Sequence, residues 1–581
     1  MSEADELARA ALSRGDLIGA YDITVSAIAD GDESGEIRHR QVLALARMGD
    51  IERAMERFAA YGLDRSEDPH QRAIGARLLK DRALTADGAA RQAALDAAFE
   101  AYHAIYRDSG DSFPGINAAT LALLAGDEGR ARDLARVLLA DPGVAAGADY
   151  YLAATKAEAL LLLGRLDEVG AVLASEAVAA SADHGARSGT ARQLAMIAGH
   201  FGVDHGDLLA GLAPPRVAHF CGHMFAADPA LEAHLRGRID AVLEAEAIGF
   251  AYGALACGAD ILFAESALAR GVELNIVLPF LEEDFLAQSV LPGGDGWASR
   301  YRACLDRAAS AVFASEMEYF GNPAQYGYAS RMAMGLTRLR GQHLGAEPVQ
   351  VAIWDGVAAA GEAGTGVDVA AWEGRGGRSA IVTPGPMDRS LSRPDPRVHS
   401  PYERSHAAIL FTDFAGFSTL KETALPAFWG GVMRVVADVL DAHGDGVACR
   451  NSWGDALYAV TDSAPLAAQI ALELQDALAM FDYATLGLDG TGGMRIGVHY
   501  GPAYRTIDHI TGRTTFYGTE VSKAARIEPV TPPGAVFVTE PFAAILALEA
   551  DDRFACRYVG RIQLAKNYGQ FPMYRLTHLR P

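Results

Sequence analysis

Two aspartates, 42 residues apart, carry the clearest chemical signal in the chain. Asp413 ends the apolar run of ILFTDFAGFSTL (409–420), and Asp455 sits in the turn of GVACRNSWGDALYAV (446–460). A charge at the end of a buried strand is costly unless it is paired, hydrogen-bonded or bound to a metal. Carboxylates at a strand end and in a neighbouring hairpin turn can converge on one point. Beside a phosphate substrate such a pair suits two hard divalent ions, because Mg²⁺ takes a few carboxylate oxygens and completes its shell with phosphates. Read singly, each residue also has a local use. Asp413 can cap the helix that begins near Ser418, and Asp455 can satisfy its turn backbone.

The elements that must position these groups are legible around them. An amphipathic stretch from Leu420 to Ala442 places Phe428, Val432, Val435 and Val439 on one expected face. Residues 446–460 read as strand, tight turn at Trp453-Gly454, strand. MRIGVHYGPAYR (494–505) reads as a strand with a Gly-Pro turn, and FYGTEVSKAARIE (516–528) as a helix opened by Gly518.

The blocks FTDFAGFS, NSWGDALYAV, RIGVHYGP, YGTEVSKAARIE and GRIQLAKNYGQFPMYRL, in that order over about 406–576, resemble the class III nucleotide cyclases, the adenylate and guanylate cyclase catalytic domain. The resemblance implies a ferredoxin-like βαββαβ core working as a head-to-tail homodimer, with the metal carboxylates from one protomer and the base pocket and transition-state groups from the other. It implies attack of the ribose 3′-hydroxyl on the α-phosphate with loss of pyrophosphate. By this resemblance Asp413, Asp455 and the Phe414 carbonyl hold two Mg²⁺ or Mn²⁺ ions. Arg526 matches the arginine that stabilises charge on the transferring phosphoryl, and Lys566 the lysine that reaches the triphosphate.

Three positions depart from the family pattern. Asn451 stands at the base-reading position usually held by Lys or Glu, with Thr515 as its partner. An Asn amide donor and a Thr hydroxyl acceptor suit adenine N1 and N6, so ATP and a cyclic AMP product are favoured. An Asn amide can also flip, which leaves GTP or a pyrimidine triphosphate open. Ser522 replaces the asparagine that orients the ribose. Losing such a transition-state contact costs about two or three powers of ten in rate, so a slow or regulated cyclase, or a degenerate nucleotide-binding signalling scaffold, is the alternative. Ser522 acting through a water, or help from Lys523, would restore the contact.

Upstream, residues 1–212 are Ala- and Leu-rich and helical in period. GDLIGAYD from Gly15 and GDIERAMERF from Gly49 recur at a spacing of 34, followed by related turns at Gly126 and Gly164. In each, Gly is expected to end one helix and an acidic residue to open the next. This resembles tetratricopeptide-type hairpins; a plain helical bundle fits the composition too. The region is expected to be regulatory, with room for a protein partner. Residues 214–382 alternate strand and helix, which implies a parallel, Rossmann-like sheet. GALACGADILFAESALARG and the strand ending VLPF resemble the SLOG superfamily, which implies a sensor for a nucleotide-like ligand. Gly253, Gly258 and Ala259 precede a helix with Asp260 and Glu265, where backbone N–H groups could meet an anion or simply pack closely. His223 after the first strand could face a ligand or be structural. TPGPMDRSLSRPDPRVHSPYERS (383–405) reads as a linker into the 406–581 catalytic domain.

The 581 residues exceed one hydrophobic core, so the expected architecture is multidomain: helical repeats, a Rossmann-like α/β domain and a ferredoxin-like α+β cyclase domain. A net charge of −23 speaks against broad nucleic-acid or membrane binding. Five scattered cysteines without a CxxC pair, an acidic helical start and short apolar runs lead to the expectation of a reduced, cytoplasmic protein without membrane insertion.

Overall fold

The computed structural model describes residues 2–358, 361–398, 404–486, 493–550 and 552–579. Of the linker, residues 399–403 lie outside this set. The chain divides into two compact units, one over residues up to Pro214 and one of Pro215–Gln342 with Glu347–Leu579.

The first unit is helical throughout its described residues. Its turns follow from glycine and aspartate chemistry. Gly15, Gly49 and Gly126 adopt φ of +71°, +79° and +93°, a conformation that costs a side-chain-bearing residue but not glycine. Asp16, Asp50 and Asp127 then cap the next helix by accepting the backbone N–H three residues on, at 2.9, 3.4 and 2.9 Å. The fourth turn departs from expectation. After Gly164 the capping position is Arg165, whose side chain accepts nothing, and the acids Asp167 and Glu168 lie inside the first helical turn. They face the positive end of the helix dipole instead of capping it.

The second unit contains two sheets. Six strands, β1 Arg216–Gly222, β2 Ile248–Gly253, β3 Glu273–Leu278, β4 Ser310–Phe313, β5 Pro348–Ile353 and β6 Ser379–Val382, form a wholly parallel sheet in the order β4-β3-β2-β1-β5-β6. The helix Ala324–Leu344 makes the crossover from β4 to β5. Strand order reverses between β1 and β5, the place where open α/β sheets form a crevice at their carboxyl ends.

The second sheet begins with β7 Arg404–Ala415, followed by the helix Leu425–Ala442, the hairpin β8 Val447–Trp453 and β9 Ala456–Thr461, the helix Ala464–Ala479, and β10 Gly493–Ile507. The four core strands lie in the order β10-β7-β9-β8 with antiparallel pairing, which is the ferredoxin-like βαββαβ arrangement. β11 Thr514–Tyr517 pairs with the end of β10. β12 Val536–Thr539, β13 Phe554–Gln563 and β14 Gln570–His578 extend the other edge.

The Leu425–Ala442 helix buries Phe428, Val432, Val436 and Leu440. The expected face with Val435 and Val439 is thus turned by one position, and both of these are only half-buried. The stretch Glu422–Ala442 is also long and apolar enough by composition to cross a bilayer. Its apolar stripe packs in the domain instead: Phe428 meets Phe414 edge-on at 5.1 Å and Phe417 at 4.9 Å.

Candidate active site

β7 runs beside β9 with Thr412 opposite Leu457, so its next residue, Asp413, emerges level with the β8–β9 turn that carries Asp455. The two carboxyl groups lie within hydrogen-bonding range of each other. The nearby backbone amides of Asp455 and Phe414 favour the ionised Asp455 carboxyl. Burial, and then the charge of Asp413, push the Asp455 carboxyl up to about 6. Two carboxylates held this close repel unless a cation or a proton separates them. Phe414 itself is buried, its ring in the core and its backbone beside both acids. Two carboxylates and a backbone carbonyl are hard oxygen donors, the set that Mg²⁺ or Mn²⁺ takes together with substrate phosphates. Among the described residues no cluster of three or more His, Cys, Asp or Glu side chains closes around a point.

A third acid stands near without joining that pair. Burial, followed by the charge of Asp413, raises Glu528 to about 7, with Arg495 counteracting from 3.9 Å. Arg495 is directly opposite Asp413 on β10. Neither residue stands out in the sequence, since Glu528 merely follows Arg526 by two in AARIE.

The remaining candidates form two groups. Asn451 on β8 is exposed, and its Oδ1 accepts the Ser452 N–H at 2.9 Å, so its Nδ2 donor is the end left to face a ligand. Thr515 on β11 is within hydrogen-bonding reach of the Cys449 thiol, two residues before Asn451. Thr515 and Asn451 therefore stand near each other, although β11 pairs with β10 and not with β8. In the other group, Gly518 at φ +139° opens the helix Thr519–Ala524, which carries an exposed Ser522. The chain then turns at Arg526, whose carbonyl accepts the Ala565 N–H at 3.3 Å. Next to Ala565, Lys566 is exposed in a left-handed conformation, φ +60°. Arg526 and Lys566, forty residues apart, are thus neighbours through the backbone.

Lys523, beside Ser522, is engaged elsewhere. Its ammonium pairs with Glu520 at 2.9 Å and lies 5.3 Å from the centre of the Phe571 ring. Glu520 in turn meets His499 Nε2 at 2.7 Å, and His499 Nδ1 meets Thr539 Oγ1 at 2.8 Å. Burial opposes the charge on Glu520, but His499 and Lys523 outweigh it and hold the carboxyl down at about 2. Glu520 thus has a partner on each side, Lys523 and His499, and His499 links it on to Thr539. The sequence hint was His499 itself, a polar residue inside the apolar strand RIGVHY.

In the parallel sheet, His223 Nε2 meets Asp355 Oδ1 at 2.9 Å, with Arg389 of the linker 3.3 Å from the other Asp355 oxygen. Asp260 is buried with Oδ1 lacking a partner, whereas Glu265 is engaged by both Arg236 and Arg300.

Residues 18–122 match the family described as Tetratricopeptide Repeats-Sensor, and residues 400–578 that described as Adenylate and Guanylate cyclase catalytic domain. Similar solved structures include the catalytic core of a rhodopsin-guanylyl cyclase with converted specificity in complex with ATPalphaS, at 18% identity over 30% of this chain and 98% of that one, TM-score 0.26. The guanylate cyclase domain of RhGC from Catenaria anguillulae in complex with GTP shares 17% identity over 30% and 98%, TM-score 0.27. The adenylyl cyclase CyaB from P. aeruginosa shares 17% over 31% and 98%, TM-score 0.28. No curated protein matches the chain.

Proposed function

We propose that this chain, whose residues 400–578 are a class III nucleotide cyclase catalytic domain, converts ATP to 3′,5′-cyclic AMP and pyrophosphate at the interface of a homodimer. The observation that carries the reading is the convergence of Asp413 and Asp455 at adjoining strand and turn. Asp413, Asp455 and the Phe414 carbonyl would hold two Mg²⁺ or Mn²⁺ ions. When bound, these supply charge neutralisation at the triphosphate and a more acidic ribose 3′-hydroxyl. The chain's own residues then position and stabilise. Asn451 Nδ2 donates to adenine N1 and the Thr515 hydroxyl accepts from N6. Lys566 faces the triphosphate. Arg526 meets the transferring phosphoryl as the 3′-oxygen bonds to the α-phosphorus and the bond to pyrophosphate breaks. Most of the catalysis is placement and electrostatics, as in phosphoryl transfer generally. The helical repeats and the parallel-sheet domain would regulate this reaction, the latter through a nucleotide-like ligand at its crevice.

Ser522, shorter than the asparagine it replaces, favours a slow basal rate. An intrinsically slow enzyme fits a catalytic domain that waits on regulatory neighbours.

Division of labour between protomers gives a direct test. Asp413→Ala should be inactive and Arg526→Ala should keep only a small residual turnover, yet their mixture should recover about a quarter of wild-type turnover, from heterodimers with one intact site. A mixture as inactive as its components would remove the shared-site dimer from the account.

A further inference from the structure

The parallel-sheet domain is packed against β10 and the Glu540–Glu549 helix of the cyclase domain. Tyr328, on the Ala324–Leu344 helix, is 1% exposed and donates its hydroxyl hydrogen to the Tyr500 carbonyl on β10 at 2.9 Å. One turn on, Arg331 donates to the Tyr500 hydroxyl at 3.2 Å and pairs with Glu549 at 3.4 Å. Gly335 lies so close to the Glu540–Glu549 helix that an added Cβ would sit 1.9 Å from the Ala544 carbonyl oxygen. Met334, Trp372 and Leu548 close the contact as a buried cluster. This is core packing, with backbone against backbone, and does not resemble the wet, polar contact of loosely tethered domains.

The contact leads to the catalytic elements by two short routes. Tyr500 is adjacent to His499, and His499 holds Glu520 on the Thr519–Ala524 helix. More directly, the Thr519 hydroxyl, at the first residue of that helix, donates to Met317 Sδ at 3.7 Å. Met317 lies in the loop after β4, and its carbonyl accepts the Leu281 N–H just beyond β3. Arg404 at the start of β7 donates to the same sulfur at 3.0 Å and stacks on Phe320 of that loop. The carboxyl-end loops of β3 and β4 therefore touch the start of the helix that precedes Arg526. On its inner side the Ala324–Leu344 helix is tied to its own domain by the Ser330 hydroxyl, which donates to Asp368 at 3.0 Å.

We propose that Met317, Tyr328 and Arg331, outside the catalytic domain, are positioning residues for the cyclase. They set β10 and the Thr519–Ala524 helix in the geometry that brings Ser522 and Arg526 to the substrate. The proposal rests on the cyclase reading above. The Thr519–Ala524 helix has six residues and cannot fix its own orientation. A misplacement of about 1 Å at a catalytic group costs about a hundredfold in rate. A change of state at the carboxyl ends of β3 and β4 would reach Arg526 through Met317 without any hinge motion of whole domains.

The test is a double-mutant cycle in the full chain, read as cyclic nucleotide formed with Mn²⁺. Tyr328→Phe removes one hydroxyl, and Arg331→Lys keeps the charge facing Glu549 should the first variant not fold. Each should lower kcat about tenfold with less than about twofold change in KM. In an Arg526→Ala background the same substitutions should cost less than about twofold, because the group they position is gone. Equal losses in both backgrounds would reduce the contact to general stability, and no loss in either would overturn the proposal. A wild-type chain inactive on all four nucleoside triphosphates would instead sink the cyclase reading, and this inference with it.

Discussion

The Asn451 amide is turned by its neighbour: with Oδ1 occupied by the Ser452 N–H, the Nδ2 donor points outward, which suits the acceptor at adenine N1. Asn451→Glu replaces that donor with acceptors and should lower the ATP-to-GTP ratio of kcat/KM at least about tenfold. Steady-state rates on both nucleotides check this, and an unchanged ratio would take base reading away from residue 451. The acid pair makes a separate prediction about pH. Asp455 is raised to about 6 and Glu528 to about 7 in the absence of a cation, above the usual carboxylate range. Raised acids favour the folded state when protonated, so this stability is present at low pH and lost as pH rises through those values. A divalent cation needs the ionised form and opposes the loss. The rise in Tm on adding Mn²⁺ should therefore be large at pH 7.5, vanish near pH 5, and be absent at either pH in Asp455→Asn. A Mn²⁺ effect that ignores pH would contradict a site built on Asp455. Sequence identified the two aspartates because polar residues at strand ends are conspicuous. It missed Arg495, which meets Asp413 only when β7 and β10 pair, and Glu528, which reaches Arg495 from the turn after Arg526.

At the level of elements, short-range chemistry was readable and rotation was not. Glycine followed by aspartate marked three helix boundaries in the first unit correctly, since both residues act through local backbone geometry. The fourth boundary is also present at Gly164, but Arg165 occupies the capping position, so that helix opens without a side-chain cap. On the Leu425–Ala442 helix, valines at 432, 435, 436 and 439 offer two nearly equivalent stripes. The aromatic contacts of Phe428 with Phe414 and Phe417 choose between them. Gly335 carries no sequence signal at all, because its need for a bare Cα comes from a helix more than 200 residues away. Gly335→Ala must separate that backbone contact and should cost about 1–3 kcal/mol, seen as a lowered denaturation midpoint, with cyclase activity falling alongside. Wild-type stability and turnover in Gly335→Ala would mean the two helices are free to part.

Across the whole molecule, alternation of strand and helix predicted a parallel sheet, and five ordered blocks predicted the cyclase core, both of which are present. Their packing into one compact unit was not legible. A proline-rich linker suggests separated domains, yet Arg389 and Arg397 of that segment pair with Asp355 and Asp284 of the parallel-sheet domain. Pairing of that kind depends on where loops end in space, which composition does not encode. The proposed function is that this assembly makes a cyclic nucleotide with Asp413 and Asp455 holding the metal ions. The most direct measurement is to incubate the purified full chain with each of the four nucleoside triphosphates and Mn²⁺ and to identify products by mass spectrometry, beside Asp413→Ala. The proposed function requires 3′,5′-cyclic AMP and pyrophosphate from ATP, absent in the variant. No cyclic product from any nucleotide, or the same product from Asp413→Ala, would contradict it.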